Sequence, residues 1–180
     1  MPGTANLIAA AIQLRRDGDC AASKHAATEV VKTARSGKHQ LDLGKALREL
    51  AETERKLHNS TAACQHYEEA SNILRRTGPP LLFAHTIRHL GDLYTHNRNL
   101  AQAEHCCLKA LEIYRQQNNT HSLDYAHALR SLAALKTQTG PSAAARDLWQ
   151  QVRNLYIALD IPEGEAGSTA ELDRIAKTDT

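Results

Sequence analysis

The 180 residues are a length that one domain accommodates, and the formal net charge is only +2. So small a basic excess gives no support for binding to nucleic acid or to a membrane surface. Hydrophobic residues make up 42% and aromatic ones only 4%, which suits closely packed Ala/Leu-rich helices rather than a β-sandwich, and few segments alternate with period two.

Turn-forming residues divide the chain into helices. The first two are expected near 4–16 and 20–35, joined by Asp17-Gly18-Asp19. Leu7, Ala10, Ala11 and Leu14 mark the first helix, and Ser23, Ala27 and Val30 the second. The apolar run from Leu7 to Ile12 is too short to span a bilayer. It is followed, not preceded, by Arg15 and Arg16, the wrong polarity for a secretory signal. Ser36-Gly37-Lys38 then separates the first hairpin from helices near 40–57 and 60–76, with Asn59-Ser60-Thr61 expected to cap the latter. That triplet and Asn118-Asn119-Thr120 both fit the glycosylation pattern, but they read more simply as a cap and a turn. Gly78-Pro79-Pro80 leads into helices near 80–96 and 100–117, joined by Asn97-Arg98-Asn99. Helices near 121–138 and 142–159 follow, with Gly140-Pro141 between them and Pro141 at a first-turn position where its missing N–H costs little. A last, more polar helix near 163–176 carries Glu163, Glu165, Glu171 and Asp173 and is expected to cap the array.

These helices repeat as hairpins at spacings of 40, 40 and 42 residues. The third copy reads Ile87-x2-Leu90-Gly91-x2-Tyr94, then Ala103-x3-Cys107, then Ala110. The second has Leu47, Leu50 and Ala51, then Ala63, Tyr67 and Ala70, and the fourth has Leu129, Leu132 and Ala133, then Ala145, Trp149 and Val152. Small residues stand where paired helices approach closely, and Tyr67 and Trp149 fill the larger holes.

On these residues the chain resembles the tetratricopeptide repeat family, over about residues 4–160. The opening Trp and closing Pro of the family pattern are absent, and the longer period is similar to the roughly 40-residue repeats of kinesin light chains and many bacterial proteins. The resemblance implies an all-α, right-handed α-solenoid: one domain over 1–180, with hairpins at about 4–38, 40–78, 80–119 and 121–160 and a capping helix at about 163–176. It also implies a non-catalytic scaffold for protein partners, with the first helix of each pair lining a concave groove.

Projected at about 100° per residue, Phe83, Ile87, Leu90 and Tyr94 share one side of their helix. His85, His89, Asp92 and His96 cluster on the opposite side and are expected to face the groove. In the same register Arg48, Arg88 and Arg130 are equivalent, as are Lys45, His85 and His127, and Arg55 and Lys56 extend the row. The first repeat offers Ala5 and Ile8 at these places, so the stripe is expected to begin at the second repeat. The candidate ligand-binding residues are Lys45, Arg48, Arg55, His85, Arg88, His89, His96, His127 and Arg130. Such a row would attract an extended partner segment carrying Asp, Glu or a free C-terminal carboxylate. Against this, Glu52 follows Arg48 and Asp92 follows Arg88 four residues on, so the stripe could also be a solvated, self-paired face.

The His85, His89, Asp92 and His96 row also fits a metal-responsive binder of Zn²⁺ or Ni²⁺. His85 and His96 are about 16 Å apart along a helix, too far to share one ion. No phosphate loop, G-x-S-x-G or HExxH is present, so no enzyme activity and no cofactor are expected. The four cysteines Cys20, Cys64, Cys106 and Cys107 form no CxxC pair and read as reduced packing residues of a cytoplasmic protein.

Overall fold

The computed structural model describes residues 3–36, 39–140 and 143–178, so the expected break at Gly37-Lys38 and the placement of Pro141 lie outside the described residues. Among these residues the regular structure is helical: α1 (Thr4–Arg16), α2 (Cys20–Ser36), α3 (Gln40–Lys56), α4 (Ser60–Thr77), α5 (Pro80–His96), α6 (Leu100–Gln116), α7 (Leu123–Gln138), α8 (Ala143–Ala158) and α9 (Pro162–Thr178). No helix is long and apolar enough to cross a membrane among the described residues. The chain folds as two compact units, Met1–Leu90 and Gly91–Thr180, whose boundary falls inside α5.

The turns share one backbone device. Gly18, His58, Arg98 and Gly140 all have positive φ (91°, 61°, 62° and 129°) and stand at intervals of 40, 40 and 42 residues. At the first three, the residue after the helix end bonds back in the same way. Gly18 N–H donates to the Arg15 carbonyl and Asp19 N–H to that of Leu14, and His58 and Arg98 with their successors repeat the pattern. This is the Schellman closure, which satisfies carbonyls that the helix end leaves open. Asn118 and Asp160 repeat it, with φ of 52° and 55°, between α6 and α7 and between α8 and α9. Asn59 differs from the expectation of a side-chain cap: its amide donates instead to Glu54 Oε2. The α2 entry is capped by Asp19, whose Oδ1 accepts from Ala22 N–H at 3.0 Å.

In the first unit α1 packs on α2 and α3, α2 on α3, and α3 on α4. Ile8, Ala11, Ala27, Val30, Leu43, Leu47 and Leu74 are buried together, with Phe83 of α5 packed against them. At Gly44 α3 lies close against α4, since a Cβ there would stand 2.8 Å from Leu74 Cδ2. Polar contacts join the first hairpin to α3: Ser23 Oγ donates to the Ala11 carbonyl and shares a hydrogen bond with Thr53 Oγ1, both side chains buried.

In the second unit α6 packs on α7, α7 on α8, and α8 on α9. The expected core positions Ala103, Cys107, Ala133, Ala145 and Val152 are fully buried. Gly91 lies close to α6, where an added Cβ would stand 3.2 Å from Cys106 Cβ and 3.3 Å from Cys107 Sγ. Trp149 is 6% exposed and its indole N–H donates to Thr137 Oγ1. Gly164 sets α9 directly on the Tyr156 ring, 2.5 Å from where its Cβ would be. None of the four cysteines is in a disulfide, and Cys106 and Cys107 are buried.

Candidate functional site: an arginine cleft in the first unit

The last turn of α1 presents Arg15 and Arg16, a favourable place for cations because helix carbonyls there carry partial negative charge. Helix α3 brings Arg48, Glu52 and Arg55 to one face by their spacing of four and three residues, and α5 adds His85 and His89, one turn apart. These seven side chains, with Ile12, line a cleft of about 410 Å³. The cleft is thus built from α1, α3 and α5.

The charges inside it are unequally matched. Arg15 grips the fully buried Glu49 through two hydrogen bonds, Nε to Oε1 at 2.5 Å and Nη2 to Oε2 at 3.1 Å. Arg55 Nη2 donates to Glu52 Oε2 at 2.9 Å. Arg48 has no such partner among the described residues: its Nε is buried without a hydrogen bond, and Glu52, four residues on, is turned to Arg55 and His89 instead. The anticipated internal neutralisation of Arg48 by Glu52 therefore does not form.

His89 Nε2 stands 3.1 Å from Glu52 Oε1 and 2.6 Å from Arg88 Nη2. Its ring stacks on Tyr67 at 5.9 Å and meets His85 edge-on at 4.7 Å. Burial lowers the His89 pKa to about 2; the Glu52 carboxylate opposes that, and Arg88, His85 and Arg55 add to it. Burial raises the Glu52 carboxyl, but His89 when charged, the adjacent Tyr67 hydroxyl and Arg55 all lower it, and the balance lies below the ordinary carboxylate value. At neutral pH the site therefore holds a carboxylate beside a neutral imidazole, with Tyr67 held protonated by burial and by Glu52.

The expected site residues are distributed unevenly. Arg48, Arg55, His85 and His89 come together in the cleft, while Lys45 is half-buried on α3 and does not line it. Arg88, expected beside Arg48 on an open wall, is 4% exposed and contacts His89 instead. In the second unit His96 and Arg130 are exposed, and His127 lies 6.1 Å from the Tyr156 ring. Asp92 accepts from Ser131 Oγ at 2.5 Å, a tie between α5 and α7. The expectation that the basic row begins at the second repeat is corrected by Arg15 and Arg16 of α1. Their signal was present: they precede Arg55 and Lys56 by 40 residues, one repeat.

Three possible metal ligands do converge, but not the expected row. Glu52, His85 and His89 offer ligand atoms within 4.8 Å of one another. Glu52, from α3, takes the place that the sequence assigned to Asp92.

Residues 82–158 match the family described as Tetratricopeptide repeat. No curated protein matches the sequence. Among solved structures, the nearly identical TPR-like repeats of a kinesin light chain-like protein from Podosopora anserina superpose with a TM-score of 0.77 at 16% identity, over 97% of this chain and 85% of that one. A second structure of those repeats has a TM-score of 0.58 at 13% identity, over 100% of this chain and 99% of the other. BtubC (BKLC) from P. vanneervenii has a TM-score of 0.64 at 16% identity, over 93% of this chain and 77% of that one. At these identities the likeness is one of fold, and it is to tetratricopeptide-type repeats.

Proposed function

We propose that this chain, a tetratricopeptide repeat protein over residues 82–158 by sequence and in fold beyond them, is a non-catalytic cytoplasmic interaction module. Its arginine cleft holds an extended partner segment carrying Asp, Glu or a free C-terminal carboxylate. The observation that carries this reading is Arg48, a half-buried cation in a cleft with no carboxylate of its own. A guanidinium so placed is compensated best by an anion from outside, through charge-assisted hydrogen bonds. Four cysteines outside any disulfide suit a reducing compartment. The repeat fold supports a protein partner by analogy with what such folds do.

The test uses a fluorescent peptide of alternating Asp and Glu with a free C-terminus. Binding to the full chain should weaken as salt rises, because exposed charges are screened within about 10 Å at 0.1 M ionic strength. The Arg16→Glu/Arg48→Glu variant should lose binding while its helical circular dichroism and melting temperature stay unchanged. Normal binding by that variant would move recognition away from the cleft.

The Glu52, His85 and His89 cluster favours a second reading, a metal-responsive binder. A neutral imidazole and an ionised carboxylate are the ligating forms of these groups, but Arg88 at 2.6 Å from His89 Nε2 would have to withdraw. Calorimetry with Zn²⁺ and Ni²⁺ decides it: micromolar 1:1 binding that His89→Ala abolishes supports this reading, and no heat of binding removes it.

A further inference from the structure

Resting on the peptide-binding reading above, we propose that the cleft takes one doubly charged group, the phosphoryl of a phosphorylated Ser or Thr on the partner segment. The charge inventory of the cleft leads there. Four guanidiniums line it, from Arg15, Arg16, Arg48 and Arg55. Two carboxylates answer two of them: Glu49 binds Arg15 and Glu52 binds Arg55. Arg16 and Arg48 remain, on two different helices facing the same space, so two positive charges are left over.

A single carboxylate matches that remainder poorly. It brings one negative charge and two oxygens, which one guanidinium can occupy in a bidentate pair. A phosphoryl group brings a charge of about −1.5 to −2 and three acceptor oxygens, enough for Arg16 and Arg48 together. Arg48 is half-buried and its Nε has no internal acceptor, whereas Arg16 is exposed to water, so Arg48 gains the more from an anion entering the cleft. The cleft volume of about 410 Å³ accommodates such a side chain and part of its backbone.

Four probes test this on the full chain at constant ionic strength: acetyl-Gly-phosphoserine-Gly-amide, its Glu analogue, its unphosphorylated Ser parent, and inorganic phosphate. The readout is movement of the His85 and His89 imidazole resonances on titration. The phosphopeptide is expected to bind about tenfold or more tighter than the Glu peptide, the equivalent of one added charge-assisted contact. Arg48→Gln should erase that advantage with little change in melting temperature, since Arg48 Nε has no hydrogen-bond partner among the described residues and Glu52 is engaged by Arg55 and His89. Equal binding of the phosphopeptide and the Glu peptide overturns the phosphoryl inference and leaves the acidic-segment reading standing. No binding by either overturns both. Inorganic phosphate binding as tightly as the phosphopeptide overturns the peptide-borne source and makes free phosphate the ligand.

Discussion

His89 presents Nε2 to the Glu52 carboxylate at 3.1 Å and yet remains an uncharged imidazole, because burial outweighs the attraction. Both partners have depressed pKa values in the folded chain, and the sign of the pH dependence follows. Above the ordinary His value of 6.5 neither group costs stability. Below it the unfolded chain takes up a proton on His89 that the folded chain refuses until about pH 2. Stability should therefore fall by about 1.4 kcal/mol per pH unit for that one proton. Below 4.5 Glu52, whose carboxyl is also held below its ordinary value, adds a loss of the same sign. Urea unfolding between about pH 7.5 and about pH 5 should show this slope, and His89→Gln should flatten it. An imidazole resonance of His89 that titrates near its ordinary value would contradict the assignment.

The Arg15–Glu49 pair should behave as a buried ion pair. Arg15→Met leaves the buried Glu49 carboxylate uncompensated and should cost on the order of 3–5 kcal/mol. The double variant Arg15→Met/Glu49→Met should recover a large part of that loss, because no orphan charge remains. A double-mutant cycle by chemical denaturation measures it; a double variant as unstable as the sum of the singles would refute the coupling.

Trp149 is buried and hydrogen-bonded to Thr137, so Trp149→Ala should cost about 3–5 kcal/mol. That is a large part of the stability of an ordinary domain, and the variant's thermal melt should show it.

Two glycines of α9 should respond oppositely to the same change. At Gly164 a Cβ meets the buried Tyr156 ring, so Gly164→Ala should destabilise by about 1–3 kcal/mol. At Gly167 nothing lies within 4 Å, so Gly167→Ala should stabilise by up to about 1 kcal/mol through helix propensity. Equal effects in thermal melts would mean that α9 is not held against Tyr156.

The helix plan was readable because breakers and apolar periodicity are local: every expected helix is present, with ends displaced by at most about two residues. Gly91 and Trp149 were readable for a similar reason, since repetition shows which positions must be small or large. The candidate site was legible only in part. A projection of one helix says which residues share a face, but not what the neighbouring helices bring to it. Hence Arg88 was assigned to an open wall although it is buried against His89, and nothing local announced that Tyr67 of α4 would cover that imidazole. Glu49 is the clearest omission. A fully buried carboxylate next to Arg48 in sequence is explained only by Arg15, 34 residues away.

The recurring left-handed turns make the chain divisible into interchangeable lengths. Glycine, histidine and arginine serve at Gly18, His58 and Arg98, so the bend there is enforced by main-chain bonding more than by side-chain identity. Around His58 the carbonyls of Arg55 and Glu54 are the ones engaged, and around Arg98 those of Thr95 and Tyr94. A cut at one such residue and a join at the next meet in the same backbone geometry. Excising residues 58–97 would leave α3 running into the Arg98 turn with no terminal carbonyl stranded, and duplicating that stretch would do the same. Each exchange at these seams moves one repeat length, the second helix of one hairpin together with the first helix of the next, so α3 would then be followed by α6 in place of α4.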